Sequence, residues 1–172
     1  MVTAYRLFRS RYEPWDTTGA MLRGGRWNSP GNGVIYTSAT LSLACLEVLV
    51  HIRDPYLVPH LNYCRIEFPN HCVERWPFEA DTARSQAILD SEVLSREFAD
   101  GWLGGRVVGK PAYFKFLADA EGSGPVLAVP SVVVRQEWNY LINPSHRLYS
   151  KIRWSAPLKF RIESRLLDPL LR

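Results

Sequence analysis

The feature that most constrains this chain is a ten-residue run of turn formers, Gly24-Gly25-Arg26-Trp27-Asn28-Ser29-Pro30-Gly31-Asn32-Gly33. Regular structure cannot run through it. Glycine gives up too much backbone freedom, and proline lacks the amide hydrogen that helix and sheet ladders need. The chain is therefore interrupted there. An arginine and a tryptophan sit inside the run. Glycine lets backbone approach a ligand closely, and a guanidinium there suits bidentate binding of phosphate or carboxylate. The glycines do not form a dinucleotide-fold fingerprint, because no helix directly follows Gly33 and no strong apolar strand precedes Gly24.

Either side of the run, hydrophobic spacing predicts short elements. Tyr5-Arg6-Leu7-Phe8-Arg9 alternates as a strand, and residues 14–23 read as polar and irregular. Val34-Ile35-Tyr36-Thr37 is a short strand by its β-branched and aromatic content. Ser38 or Thr40 then caps a helix over 41–52, which Asp54-Pro55 ends. Residues 61–68 alternate as a strand and 82–103 carry helical spacing. Residues 126–134 read as core strands broken at Pro130. Asn139-Tyr140-Leu141-Ile142 is a strand leading into a turn at Asn143-Pro144, and Lys159-Phe160-Arg161-Ile162-Glu163 alternates like a half-buried strand. No repeat and no regular strand–helix alternation appears, so the expected class is α+β, a mixed sheet with flanking helices. With 172 residues, 47% of them hydrophobic, the chain can bury one core, and residues 1–172 are expected to form a single domain.

Several function classes are disfavoured. No apolar run approaches the ~20 residues needed to cross a bilayer, and the N-terminus lacks a leader pattern, so a cytoplasmic location is expected. Cys45, Cys64 and Cys72 are an odd set that does not suit a disulfide framework. With His60 and His71 they lack the paired spacing of a zinc site, so no metal is expected. No Ser–His–Asp or Cys–His signature is present. The net charge of +4 arises from residues 146–172, which hold seven Lys/Arg against two Asp/Glu. No stacking-aromatic motif or recognition helix accompanies it, so direct nucleic-acid binding is not expected.

Glu47 is the most informative single position. Apart from Ser42 it is the only polar residue in 41–50, so the helix reads as buried nearly all round, and a carboxylate there needs a partner. A buried salt bridge, a place at the one exposed edge of the helix and a functional acid are the alternatives. Tyr36 and Ser38 share one strand face just before this helix, where a core phenol and a capping hydroxyl are the alternatives to a site.

In order and separation, Gly24-Gly25-Arg26-Trp27-Asn28, Ile35-Tyr36-Thr37-Ser38, Leu46-Glu47, Val129-Pro130-Ser131 and Asn139-Tyr140-Leu141-Ile142-Asn143-Pro144 resemble the RES-domain family. Those proteins are the toxins of bacterial RES–Xre type II toxin–antitoxin systems. Tyr5-Arg6 and the stretch from Phe160 to Leu167 look like the family's first and last conserved strands. The resemblance implies an ADP-ribosyltransferase-like fold, a split, twisted mixed sheet with a central cleft for NAD⁺. It also implies an activity, cleavage of the nicotinamide–ribose bond by NAD⁺ glycohydrolase or phosphorylase chemistry. NAD⁺ is then substrate rather than cofactor, with phosphate as a candidate co-substrate. The expected catalytic residues are Glu47, Arg26 and Tyr36. Glu47 stabilises the oxocarbenium-like ribose, Arg26 binds the pyrophosphate or a ribose-side phosphate, and Tyr36 stacks on nicotinamide or closes the pocket around it. Arg6, Ser38, Ser131 and Asn143 are expected further contacts to NAD⁺. An Xre-family helix-turn-helix antitoxin is the expected partner, blocking the active site. The alternatives are a protein ADP-ribosyltransferase using the same cleft and a non-catalytic module binding anions or RNA.

Overall fold

The computed structural model describes residues 1–52, 60–75, 83–103 and 124–167. The expected helix stop at Asp54-Pro55 lies outside them. The described residues form eight strands: β1 (Val2–Arg9), β2 (Ile35–Ser38), β3 (Leu61–Phe68), β4 (Val73–Arg75), β5 (Val126–Pro130), β6 (Trp138–Ile142), β7 (Arg153–Trp154) and β8 (Leu158–Phe160). Four helices accompany them: α1 (Thr18–Arg23), α2 (Leu41–Leu49), α3 (Ala83–Asp90) and α4 (Glu92–Trp102). None of them is long and apolar enough to cross a membrane.

The strands make one mixed sheet in the order β4-β5-β6-β2-β1-β3-β7, with β8 also paired to β3. Only β4 and β5 run parallel. The sheet has two well-registered halves. β2 pairs with β6 over four residues and β1 with β3 over eight, but β1 and β2 meet in register only at Tyr5 and Ser38. The expected split therefore falls between β1 and β2, at the strand end that leads into α2.

Strand alternation decides what each face carries. Tyr36, Ser38, Leu127, Val129, Asn139 and Leu141 share one face by register. Over the β5–β6 half, α3 and α4 cover it with Ile88, Leu89, Phe98, Ala99 and Trp102. Over the β1–β3 half, α2 covers it with Ala44 and Cys45 against Leu7 and Leu61. The opposite face packs Ala4, Phe8, Ile35, Ile66, Phe68, Val126 and Ile142 under Ile152. Tyr36 and Ser38 thus lie where the two helical layers meet.

Several expected elements differ. Residues 18–23 are helical, because the backbone bonds of this single turn outweigh its irregular polar pattern. The helix over 41–52 ends at Leu49 and is not buried all round: Leu46 and Val50 are 38% and 58% exposed. Thr40 rather than Ser38 caps it, its hydroxyl accepting from Leu43 N at 3.0 Å. The helix over 82–103 is two helices, with Ser91 extended between them and capping the second. Residues 131–134 turn instead of continuing β5, and 159–163 contribute only the end of the short, mostly exposed β8.

Candidate active site

Glu47 sits near the end of α2, which follows β2 after a two-residue connection. Its carboxylate oxygen Oε1 accepts hydrogen bonds from Ser131 Oγ at 2.7 Å and from Asn139 Nδ2 at 2.5 Å. Each donor is itself fixed. Asn139 Oδ1 accepts from Ser38 Oγ at 2.7 Å, so its amide cannot flip without losing both contacts. Ser131 Oγ accepts from Val133 N and Val134 N, each at 3.0 Å, which commits its own hydrogen to Glu47. Ser38, Ser131 and Asn139 are buried, while Glu47 is partly exposed.

The consequence is a carboxylate gripped by one oxygen. Charge-assisted hydrogen bonds of this kind are short and strong, and two of them fix the plane of the group. Among the described residues Oε2 has no protein partner, which leaves it for a ligand. The turn that carries Ser131 is closed by Ser131 N bonding Glu137 O at 2.9 Å. Glu137 Oε2 accepts from Thr40 Oγ1 at 2.9 Å, which ties that turn to the start of α2.

The glycine-rich run is a clasp built around Tyr36. The Tyr36 hydroxyl accepts from Trp27 N at 3.0 Å and donates to Asn28 Oδ1 at 2.7 Å. A side chain at residue 25 would place its Cβ 2.5 Å from that hydroxyl, so the approach requires Gly25. Gly24 has a φ of 70°, which L side chains rarely adopt. The fully buried Asn28 donates through Nδ2 to Ala20 O at 2.9 Å and Asn32 O at 2.8 Å. From α4, Asp100 accepts from Ser29 N at 3.0 Å and Asn32 Nδ2 at 2.7 Å, and Arg96 Nε donates to Gly25 O at 3.0 Å. Burial pushes the Tyr36 phenol further into the alkaline range, so it stays a neutral donor. With the hydroxyl committed to the clasp, only the ring can serve a ligand.

Arg26 projects from this clasp to α3, where Nη2 donates to Leu89 O. Its Nε is buried without a hydrogen-bond partner among the described residues. Arg135, just beyond Ser131, reaches the same helix end and bonds Asp90 Oδ1 at 2.5 Å. The last turn of α3 therefore adjoins both the Arg26 clasp and the turn that carries Ser131.

Two expected residues fall elsewhere. Arg6 pairs in register with Cys64 and lies on the sheet face opposite Ser38 and Asn139, because β1 alternates and Tyr5 occupies the Ser38 side. Its Nη2 donates to Asp16 O at 2.8 Å, and burial pulls its guanidinium down to about 10. Asn143 lies beyond β6, four residues or roughly 13 Å along the strand from Asn139 at ~3.3 Å per residue. There its Oδ1 accepts from Ser145 N at 3.0 Å, which makes it a turn residue. Conversely, Asn139, Asn28 and Asp100 were not singled out by sequence. Asn139 carries a usable signal: it is a polar residue on the same strand face as Leu141, where an apolar side chain is the rule.

Comparison with known proteins gives one consistent result. A family model described as the RES domain matches residues 3–162. "Toxin Res" of Photorhabdus laumondii is 32% identical over 167 residues, covering 95% of this chain and 96% of that protein. The "Prs ADP-ribosylating toxin" of Sphingobium sp. is 31% identical over 141 residues, covering 78% and 76%. A chain of the crystal structure of the M. tuberculosis MbcT–MbcA toxin–antitoxin complex is similar in fold, with a TM-score of 0.64 at 15% identity over 98% of this chain and 88% of that one.

Proposed function

The chain belongs to the RES-domain toxin family, and we propose that it consumes NAD⁺ by cleaving the bond between nicotinamide and ribose. The observation that carries this reading is Glu47, held through Oε1 by Ser131 and Asn139 with Oε2 left for a ligand. As the C1′–N1 bond breaks, its electron pair goes to the pyridinium ring and nicotinamide leaves neutral, so no strong general acid is needed. Positive charge then builds on the ribose. A fixed carboxylate in a partly buried site stabilises that charge without having to reorganise. Water or phosphate attacks C1′, giving ADP-ribose or its 1-phosphate with loss of a proton.

In this reading Arg26 binds the pyrophosphate, and the Tyr36 ring closes the pocket around nicotinamide. Ser38 acts through Asn139 and not on the substrate. Arg6 and Asn143 take structural roles. Loss of NAD⁺ arrests growth, and a helix-turn-helix antitoxin of the Xre type covers the site. The exposed Leu46 and Val50, one turn apart and beside Glu47 on α2, supply an apolar surface for such a partner.

The test is product analysis after incubation with NAD⁺, with and without phosphate. The expected products are free nicotinamide and soluble ADP-ribose or ADP-ribose 1-phosphate. No nicotinamide above background from folded protein would exclude the reading. The similarity to an ADP-ribosylating toxin favours a second one, transfer of ADP-ribose to a protein. Adenylate label retained on macromolecules in a lysate, and not in small products, selects it.

A further inference from the structure

We propose that Arg96 is the second cation of the anion subsite begun by Arg26, and that the two guanidinium groups together take the pyrophosphate of a dinucleotide. The inference rests on the NAD⁺ reading above and names the part of the molecule that would recognise the phosphates.

The Arg96 guanidinium meets the chain beside Arg26. Arg96 Nε donates to Gly25 O at 3.0 Å, and Arg26 is the next residue. Arg26 in turn bonds Leu89 O at the end of α3. Across the α3–α4 corner, Ser95 Oγ donates to Ile88 O at 2.7 Å, so residues 88–89 lie beside residues 95–96. The two arginines thus flank a single corner.

Arg26 is the unsatisfied cation of this corner. Arg26 makes no ion pair among the described residues, and its buried Nε has no partner. Among the described residues Arg96 makes one ion pair, with Glu92, an exposed residue one turn earlier on the same helix. Asp100 is already committed to Ser29 N and Asn32 Nδ2, and Asp90 to Arg135. Two guanidinium groups at one corner, neither ion-paired to another element among the described residues, suit a ligand with two adjoining anionic groups. The planar fork of each guanidinium matches one phosphoryl group.

The test compares the wild-type protein with Arg96→Gln and Arg96→Lys in two measurements. The first is calorimetric binding of ADP-ribose, which carries the pyrophosphate and lacks nicotinamide. The second is nicotinamide release from NAD⁺ and from nicotinamide riboside, which carries no phosphate. For Arg96→Gln the expected results are ADP-ribose binding weaker by about tenfold or more, a matching rise in KM for NAD⁺, and unchanged turnover of nicotinamide riboside. Arg96→Lys should fall between the two. Equal losses on NAD⁺ and nicotinamide riboside would mean that Arg96 only supports the Gly25 turn, and would overturn the proposal. So would unaltered ADP-ribose affinity in Arg96→Gln, or no ADP-ribose binding by the wild type. If the wild type binds ADP-ribose through Arg96 but releases no nicotinamide, the NAD⁺-cleavage reading falls and the anion subsite stands.

Discussion

Asn139 spends both ends of its amide on the candidate site, accepting from Ser38 and donating to Glu47. Removing it takes one charge-assisted hydrogen bond from Glu47 and leaves the buried Ser38 hydroxyl without its acceptor. A hydrogen bond to a charged group contributes about 1.5–3 kcal/mol, which corresponds to roughly 10- to 150-fold in rate if the bond is used in the transition state. Asn139→Ala is therefore expected to lower kcat for nicotinamide release within that range with little change in KM, measured by steady-state kinetics on folded protein. Tyr36→Phe should act differently. It removes the bond from Trp27 N and leaves Asn28 Oδ1 without its donor, so the expected effect is a loss of about 1–3 kcal/mol of stability, read from the urea midpoint. If Tyr36→Phe abolished activity at unchanged stability, the hydroxyl would have a chemical role beyond the clasp. At this scale the sequence was informative about Glu47, because a lone acid in an apolar helix demands a partner. It misplaced Arg6, expected at the cleft and found on the opposite face of the sheet. Whether a strand arginine faces the cleft depends on register, and the Tyr5–Ser38 pairing that decides it joins residues 33 positions apart.

The elements that shape the site are short and depend on their ends. α2 has nine residues and carries Glu47, and its start is held by Thr40, which caps Leu43 N and also bonds Glu137. Thr40→Ala is expected to cost about 1 kcal/mol by loss of the cap, seen as a lower melting temperature. It should also loosen the turn that carries Ser131. Thr40→Ser, which keeps the hydroxyl, should restore most of both. No drop in melting temperature for Thr40→Ala would mean that α2 is held by packing alone. The strands at 5–9, 61–68 and 139–142 were legible from their apolar and aromatic residues, although both faces of the sheet are covered. The buried-all-round reading of α2 was not correct, because an apolar segment without a clear period cannot reveal that Leu46 and Val50 face outward. The break at Ser91 was equally hidden: a serine extended between two helices reads like any polar surface position until its hydroxyl is seen to cap Leu94 N.

In the whole molecule, two sheet halves joined at a single registered pair bring together residues far apart in sequence. Glu47 bonds Ser131 and Asn139, 84 and 92 positions away. Pattern reading could place the strands and even their class. It could not order them as β4-β5-β6-β2-β1-β3-β7, since that order is set by long-range pairing and not by local composition. Resemblance over most of the chain carries that long-range information, which is why it groups Glu47, Ser131 and Ser38. The same resemblance groups Asn143 with them, although the topology puts it beyond the far end of β6.

The central claim is that the Glu47 carboxylate performs the chemistry of NAD⁺ cleavage. The most direct measurement is the rate of nicotinamide release from NAD⁺ by Glu47→Gln beside the wild type, with the melting temperatures of both. Glutamine keeps the shape and can still accept from Ser131 and Asn139 through its carbonyl oxygen, but it carries no charge. The account predicts a fall of about 100-fold or more in kcat with the fold retained. A Glu47→Gln protein that releases nicotinamide at the wild-type rate would contradict it.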